Sequence, residues 1–464
     1  MKQNILKLGY LLLGLLLVLV IHLSYLQVIK GSDLAANSYN RRLQEREDQV
    51  RRGSIYDAGG IALAKTNFNG GKGRRVYPGG KDTPHLIGYI SSKYGRAGLE
   101  SVYDSYLLGM EGADQVRNFI NKLLGREQKG GDMTLTIDFT LQRQAMELLG
   151  GRRGAVVLMD TRTGALRVMA SSPGYNPNQL EEIWPRLVQM EDSPLLNRAI
   201  QGAYPPGSAF KVVTAAGVLA TSPGYAAGTF NCPGFLMVDG YKLTDMSAHG
   251  EVDLRKALAV SCNTTFAQLG LKLGPDGFYR TFKAFGLDQD PAVGVPVRPG
   301  TLAAPGKMIS TELASSSIGQ GELLVSPLHM ALVAAAIANQ GIIMRPYLVE
   351  SVRDSAGETV HQAVYRPWLT ATTANISGTI KAGMIDAVRY GTAQAAAFSG
   401  AQVAGKTGSA QNPHGRTHAW FIGFAPAEQA RLAVAVVLEN AGSGGAVAAP
   451  IAGKLLAAAI AKGY

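Results

Sequence analysis

Cysteine is nearly missing from this chain: 464 residues hold two, Cys232 and Cys262. Two thiols cannot make a disulfide framework, and Cys262 sits inside a motif where a bridge would be awkward, so both are expected free. No Cys-x-x-Cys occurs and the seven histidines are scattered, so neither metal nor cofactor is expected. Charge is also thin. Asp, Glu, Lys and Arg make up 17% of the chain, and acid is the scarcer sign, leaving a formal net charge of +11. The excess falls in pairs such as Arg41-Arg42, Arg51-Arg52, Arg74-Arg75 and Arg152-Arg153. No aromatic-interleaved basic run or finger motif accompanies them, so nucleic acid is not an expected partner. A plain solvated face is the first reading of the charge, and a basic surface near anionic lipid or anionic wall polymer the second. Repeats and low-complexity tracts are absent too. The 46% of apolar residues is enough for a large core and excludes a disordered chain. The length suggests two or three domains.

One long hydrophobic run is present. Leu8 to Ile29 has no formally charged side chain, with Lys2 and Lys7 before it and Lys30 after it. As a helix it covers about 33 Å, enough to cross the hydrocarbon core of a bilayer. A cleaved signal peptide has a shorter apolar core and a small-x-small site after it; here Tyr25-Leu26-Gln27-Val28 follows, which favours a retained anchor. The short basic tail stays cytoplasmic under the positive-inside rule, so the rest faces outward.

The chain then reads as residues 1–30, tail and anchor; 31–150, a non-catalytic pedestal; and 151–464, the chemical unit. A charged stretch from Asn37 to Arg52 is a juxtamembrane helix or linker. Arg52-Gly-Ser-Ile-Tyr-Asp57, a glycine-rich hairpin region from Asn69 to Gly80 and a strand pattern over Met133–Asp138 give the pedestal mixed α and β character. From Gly154, two apolar runs around Thr161-Arg-Thr-Gly164 predict a β-hairpin. Strands recur late, before Lys406, over His418–Phe424 and over Ala430–Leu438. Helices are expected between, over Ala209–Leu219, Leu254–Leu269 and Pro327–Asn339, with another at Ala446–Ala461. Strands from both ends around a helical middle describe an α+β fold with one antiparallel sheet.

Three motifs carry chemistry. Ser208-Ala-Phe-Lys211 follows Tyr204-Pro-Pro-Gly207, so Ser208 is expected at a helix N-terminus with Lys211 one turn on, on the same face. A serine hydroxyl needs a base, and lysine is one once burial or nearby positive charge lowers its pKa. Lys406 is the expected source of that charge. Ser261-Cys262-Asn263 lies between two helices and offers a relay hydroxyl and an amide. Lys406-Thr407-Gly408, after strand-like Gln402–Gly405, offers a cation and a hydroxyl for a carboxylate, with a glycine against which a ligand can lie. The N–H groups of Ser409 and Ser208 are candidates for an oxyanion hole. Each motif alone also suits a helix cap or a surface turn. The ordered set suits an S-x-x-K, S-x-N, K-T-G serine acyltransferase.

On these motifs the chain resembles the class B penicillin-binding proteins. The likeness extends to Asn197-Arg198-Ala199, Ile318-Gly-Gln-Gly321, Ser326-Pro327, Ala338-Asn-Gln-Gly341, Gly391-Thr392-Ala393 and His418-Ala-Trp-Phe421. In the pedestal it includes Arg52–Asp57 and Gly98-Leu-Glu-Ser-Val-Tyr103. Two departures stand out: Ser409 where many relatives have threonine, and cysteine in the middle of the second motif. The resemblance implies a transpeptidase domain with a five-stranded antiparallel sheet flanked by helices. It implies catalytic Ser208, Lys211 and Ser261, with Asn263, Lys406, Thr407, Gly408 and Ser409 binding substrate. It implies stem peptides of peptidoglycan ending in D-Ala-D-Ala as substrate, β-lactams as covalent ligands and a membrane-embedded glycan polymerase as partner. A β-lactamase or β-lactam sensor of the same serine–lysine fold is the alternative.

Overall fold

A computed structural model describes residues 2–30, 49–69, 72–413 and 415–464. Most of the expected juxtamembrane segment, residues 37–48, lies outside the described residues. The N-terminal helix runs from Lys2 to Ser24 and continues as a π-helical turn over Tyr25–Ile29. Its mean hydropathy is 2.4 over Gln3–Gln27 and none of that window is buried. Exposed leucines along 23 residues of helix are costly in water, and the helix is long and apolar enough to cross a membrane.

The lower part of the molecule is a mixed six-stranded sheet. Its order is Thr359–Gln362, Val349–Arg353, Asp132–Leu135, Ile55–Tyr56, Ala62–Asn69 and Lys72–Val76. The first two strands come from far downstream in the chain: they pair antiparallel with each other, and Val349–Arg353 pairs antiparallel onto Asp132–Leu135. A buried ion cluster ties the region together. Arg52 Nε and Arg75 Nε donate to the two oxygens of the fully buried Glu100, at 2.7 and 2.6 Å, and Arg52 also reaches Asp104. The two pedestal segments noted in the sequence, around Arg52 and around Glu100, therefore meet.

The upper part is a five-stranded antiparallel sheet. Its strands are β1 (Gly154–Asp160), β2 (Leu166–Ser172), β3 (Ala404–Ala410), β4 (His418–Ala425) and β5 (Leu432–Leu438), in the spatial order β2-β1-β5-β4-β3. Every residue of β1, β4 and β5 is buried. That explains why these segments read as continuous apolar runs instead of alternating ones. Helix Pro327–Ala338, buried along its whole length except its last residue, packs on β1, β4 and β5. Helices Phe139–Leu149 and Gly444–Ala461 also pack on the sheet. The second of these, apolar enough to cross a membrane, is half buried and serves as a core helix.

The middle of the chain is less helical than expected. Four short strands over residues 229–253 form two separate two-stranded ribbons. Their residues alternate over too few positions, and Gly234, Gly240 and Gly250 interrupt them.

Candidate active site

The sheet edge made by β3 faces the turn that carries Ser208. Gly207 has φ +56° and its N–H donates to Gly319 O at 2.8 Å. A side chain there would meet the Ser409 and Ala410 backbone at 3.1–3.2 Å, so both φ and the close approach call for glycine. Ser208 lies in a 3-10 turn over Gly207–Phe210, and α-helix begins at Lys211. The turn is held from outside. Trp420 Nε1 donates to Pro205 O at 3.0 Å, and Tyr204 OH donates to Glu439 Oε1 at 2.8 Å. Glu439 also accepts from the buried Arg198 Nε at 2.7 Å.

Lys211 is fully buried. Its ammonium donates to Ser261 O at 2.6 Å, Ser261 Oγ at 3.3 Å and Asn263 Oδ1 at 2.7 Å. Lys406, also fully buried, donates to the same Ser261 Oγ at 2.9 Å and to Thr407 O at 3.1 Å. Ser261 Oγ therefore joins the two lysines. Ser261 itself has φ +66°, a left-handed conformation that costs a non-glycine residue of order 1–3 kcal/mol. Asn263 is oriented by Nδ2 donating to Thr244 O at 3.1 Å, which leaves Oδ1 for Lys211.

Burial pulls the pKa of Lys211 down from 10.5 to about 7, against the opposing influence of Asp245 and the two cysteines. Burial, followed by the charge of Lys211, holds Lys406 well below the ordinary lysine value. The sequence reading had Lys406 lowering Lys211; here desolvation does so, and the repulsion is felt at Lys406. Two ammonium groups around one hydroxyl in a dry cavity disfavour double protonation.

Lys406-Thr407-Gly408 lies inside β3 and does not follow a shorter strand. A Cβ at Gly408 would come within 2.5 Å of Pro206 O: this glycine lets the Ser208 turn touch the strand. Thr407 Oγ1 hydrogen-bonds Thr392 Oγ1 at 2.7 Å. Thr392 was noted in the sequence as part of Gly391-Thr392-Ala393 but not as a site residue. Ser409 is exposed, and its Oγ accepts from Gly444 N at 3.2 Å, so that hydroxyl is engaged with a helix start. Hydrogen bonds thus gather Lys211, Ser261, Asn263 and Lys406, with Ser208 one turn upstream of Lys211 and Thr407 and Gly408 on the adjoining strand. Sequence reasoning missed Trp420, Tyr204, Glu439 and Arg198 as supports, since nothing local marks them as neighbours.

A serine-bearing turn against an edge strand, with a buried lysine of lowered pKa one helical turn on, is an arrangement that suits an active-serine acyltransferase. Comparison with known proteins refines this. The model of the penicillin-binding protein transpeptidase domain matches residues 154–457, and that of the penicillin-binding protein A dimerisation domain matches residues 52–133. The peptidoglycan D,D-transpeptidase PbpA of Mycolicibacterium smegmatis is 34% identical over the whole of both chains. Penicillin-binding protein A of Mycobacterium tuberculosis, solved as a ceftriaxone acyl-enzyme, superposes with a TM-score of 0.85 at 33% identity, over 90% of this chain and all of that one. Penicillin-binding protein 2 of Pseudomonas aeruginosa superposes at 0.77 with 29% identity, over 88% and 95%. The chain belongs to the penicillin-binding protein transpeptidase family.

Proposed function

We propose that this protein is a peptidoglycan D,D-transpeptidase that acylates on Ser208 and is trapped there by β-lactams. The observation that carries the reading is the Lys211–Ser261–Lys406 chain beside the Ser208 turn. Substrate enters along β3 with its terminal carboxylate at Lys406 and Thr407. That negative charge favours the ammonium form of Lys406, which in turn disfavours a proton on Lys211 through their shared contact at Ser261. Lys211, neutral, takes the proton of Ser208 as Oγ attacks the penultimate D-alanine carbonyl. Backbone N–H groups of Ser208 and Ser409 receive the developing oxyanion. On collapse, the C–N bond breaks and the proton passes from Lys211 through Ser261 Oγ to the departing D-alanine amine. Asn263 holds Lys211 and the substrate's peptide backbone. An amine from a second stem peptide then loses its proton back along this path and displaces Ser208, forming the crosslink.

We infer further that residues 1–30 anchor the protein with its tail in the cytoplasm, that 31–150 form a pedestal and that 151–464 form the catalytic unit outside. A membrane-embedded glycan polymerase is the proposed partner. It should co-purify from membranes in mild detergent; recovery without any polymerase speaks against it. The chemistry is tested with a stem peptide ending in D-Ala-D-Ala and an amine acceptor. The wild type should form crosslinked product and release D-alanine, and Ser208→Ala should do neither. A β-lactamase would instead turn penicillin over within seconds, where the transpeptidase reading requires an adduct lasting many minutes.

A further inference from the structure

Behind the second motif, four side chains with metal-binding atoms converge. They are Cys232, Asp245, His249 and Cys262, whose donor atoms all lie within 4.8 Å of one another. Cys232 ends the strand Thr229–Cys232, Asp245 follows the strand Tyr241–Thr244, His249 precedes the strand Gly250–Asp253, and Cys262 caps the helix Asn263–Ala284. The two ribbons thus deliver three donors to a fourth fixed on the catalytic loop.

Cys232 Sγ lies 3.5 Å from Asp245 Oδ2 and 3.4 Å from His249 Nδ1, and Nδ1 lies 3.8 Å from Oδ2. A tetrahedral ion with bonds of about 2.0–2.3 Å sets its donors about 3.3–3.8 Å apart. The Cys232, Asp245 and His249 spacings therefore suit one ion, with Cys262 Sγ within 4.8 Å of each of them as the fourth donor. Both thiols and the Asp245 carboxylate are shielded from solvent. His249 turns its other nitrogen, Nε2, to Ser247 Oγ at 3.2 Å, the outer contact that fixes a ligating imidazole. Cys262 Sγ accepts from Thr265 N and touches the hydroxyls of Thr264 and Thr265, contacts that fix the position of the sulfur.

We propose that Cys232, Asp245, His249 and Cys262 bind one Zn²⁺ in a closed structural site. Two thiolates and an imidazole select a borderline-soft ion, and four protein donors leave no open position for chemistry. Cys262 lies between Ser261 and Asn263, so the ion pins the loop that supplies both lysine partners. Asp245 adds to this, since its Oδ2 already accepts from Asn263 N at 2.7 Å and Thr264 N at 3.1 Å. Metal loss should therefore loosen the second motif without touching Ser208.

The test uses the full-length protein in detergent, purified without chelator or metal-affinity resin. Elemental analysis should find about one zinc per chain. After removal by a chelator under reducing conditions, Co²⁺ should restore one site per chain, with tetrahedral visible bands and a thiolate-to-cobalt charge-transfer band. Cys232→Ser should reduce that band to roughly half, with the Cys262 thiolate remaining, and Ser247→Ala should weaken cobalt binding by about 10–100-fold. The wild-type cobalt titration stands even where a variant does not fold. If wild-type protein with both thiols reduced takes up no cobalt, the proposal is overturned. It is also overturned if cobalt binds with no thiolate band. Neither readout depends on the transpeptidase reaction.

Discussion

The rate of acylation should fall steeply in mild acid, because the proposed base is a lysine held near neutrality. Desolvation sets the Lys211 pKa at about 7; a solvated lysine titrates near 10.4. Below that value Lys211 is protonated and cannot accept the Ser208 proton. With a pKa of about 7, roughly 1% of Lys211 is neutral near pH 5 and roughly 90% near pH 8, so the second-order acylation constant should rise about 90-fold across that interval. Log rate against pH should have a slope near one on the acid side and level off above about pH 8. Stopped-flow acylation by a fluorescent penicillin, at fixed ionic strength, reads this directly. Penicillin is suitable because its own carboxylate stays ionised throughout. A rate constant that is flat across the range, or that rises toward acid, would refute Lys211 as the base.

The same lowered pKa has a consequence for stability. Between about pH 7 and about pH 10, the unfolded chain holds a proton on Lys211 that the folded chain lacks, so stability gains with rising pH by up to about 1.4 kcal/mol per unit from this group. Urea unfolding of Lys211→Met should show a correspondingly shallower slope, and equal slopes would contradict the burial argument. Gly408→Ala should cut penicillin acylation by at least about 100-fold, because the added methyl meets Pro206 O at 2.5 Å and misplacements of about 1 Å cost that much; a near-normal rate would show the turn and strand to be looser than described. Glu439→Ala leaves the buried Arg198 and Tyr204 without their shared acceptor, so it should destabilise by about 3–5 kcal/mol in chemical denaturation. A loss under about 1 kcal/mol would make that network incidental.

Much of the fold was legible because its elements are local. The Gly154–Ser172 hairpin, the helix from Pro327 and the strands at His418 and Leu432 announce themselves by apolar runs bounded by glycine or proline. The motifs were legible because Ser208 and Lys211 share one helical turn and Lys406 to Gly408 one strand. What escaped was long-range. The strand Val349–Arg353 pairs with Asp132–Leu135 across more than two hundred residues, with no signal beyond its own short pattern. Cys232, Asp245, His249 and Cys262 are spread over thirty-one residues with none of the usual short metal spacings; only folding of two ribbons brings them together. The cause of the Lys211 shift was misjudged for a related reason. Burial depends on what packs over a side chain, and position in a motif does not reveal it.

The most direct measurement is the intact mass of the full-length protein after exposure to penicillin G, followed by peptide mapping. The account predicts a single adduct of one penicilloyl group, confined to the peptide containing Ser208 and absent from Ser208→Ala. An adduct mapped to another residue, or one that persists in Ser208→Ala, would contradict it.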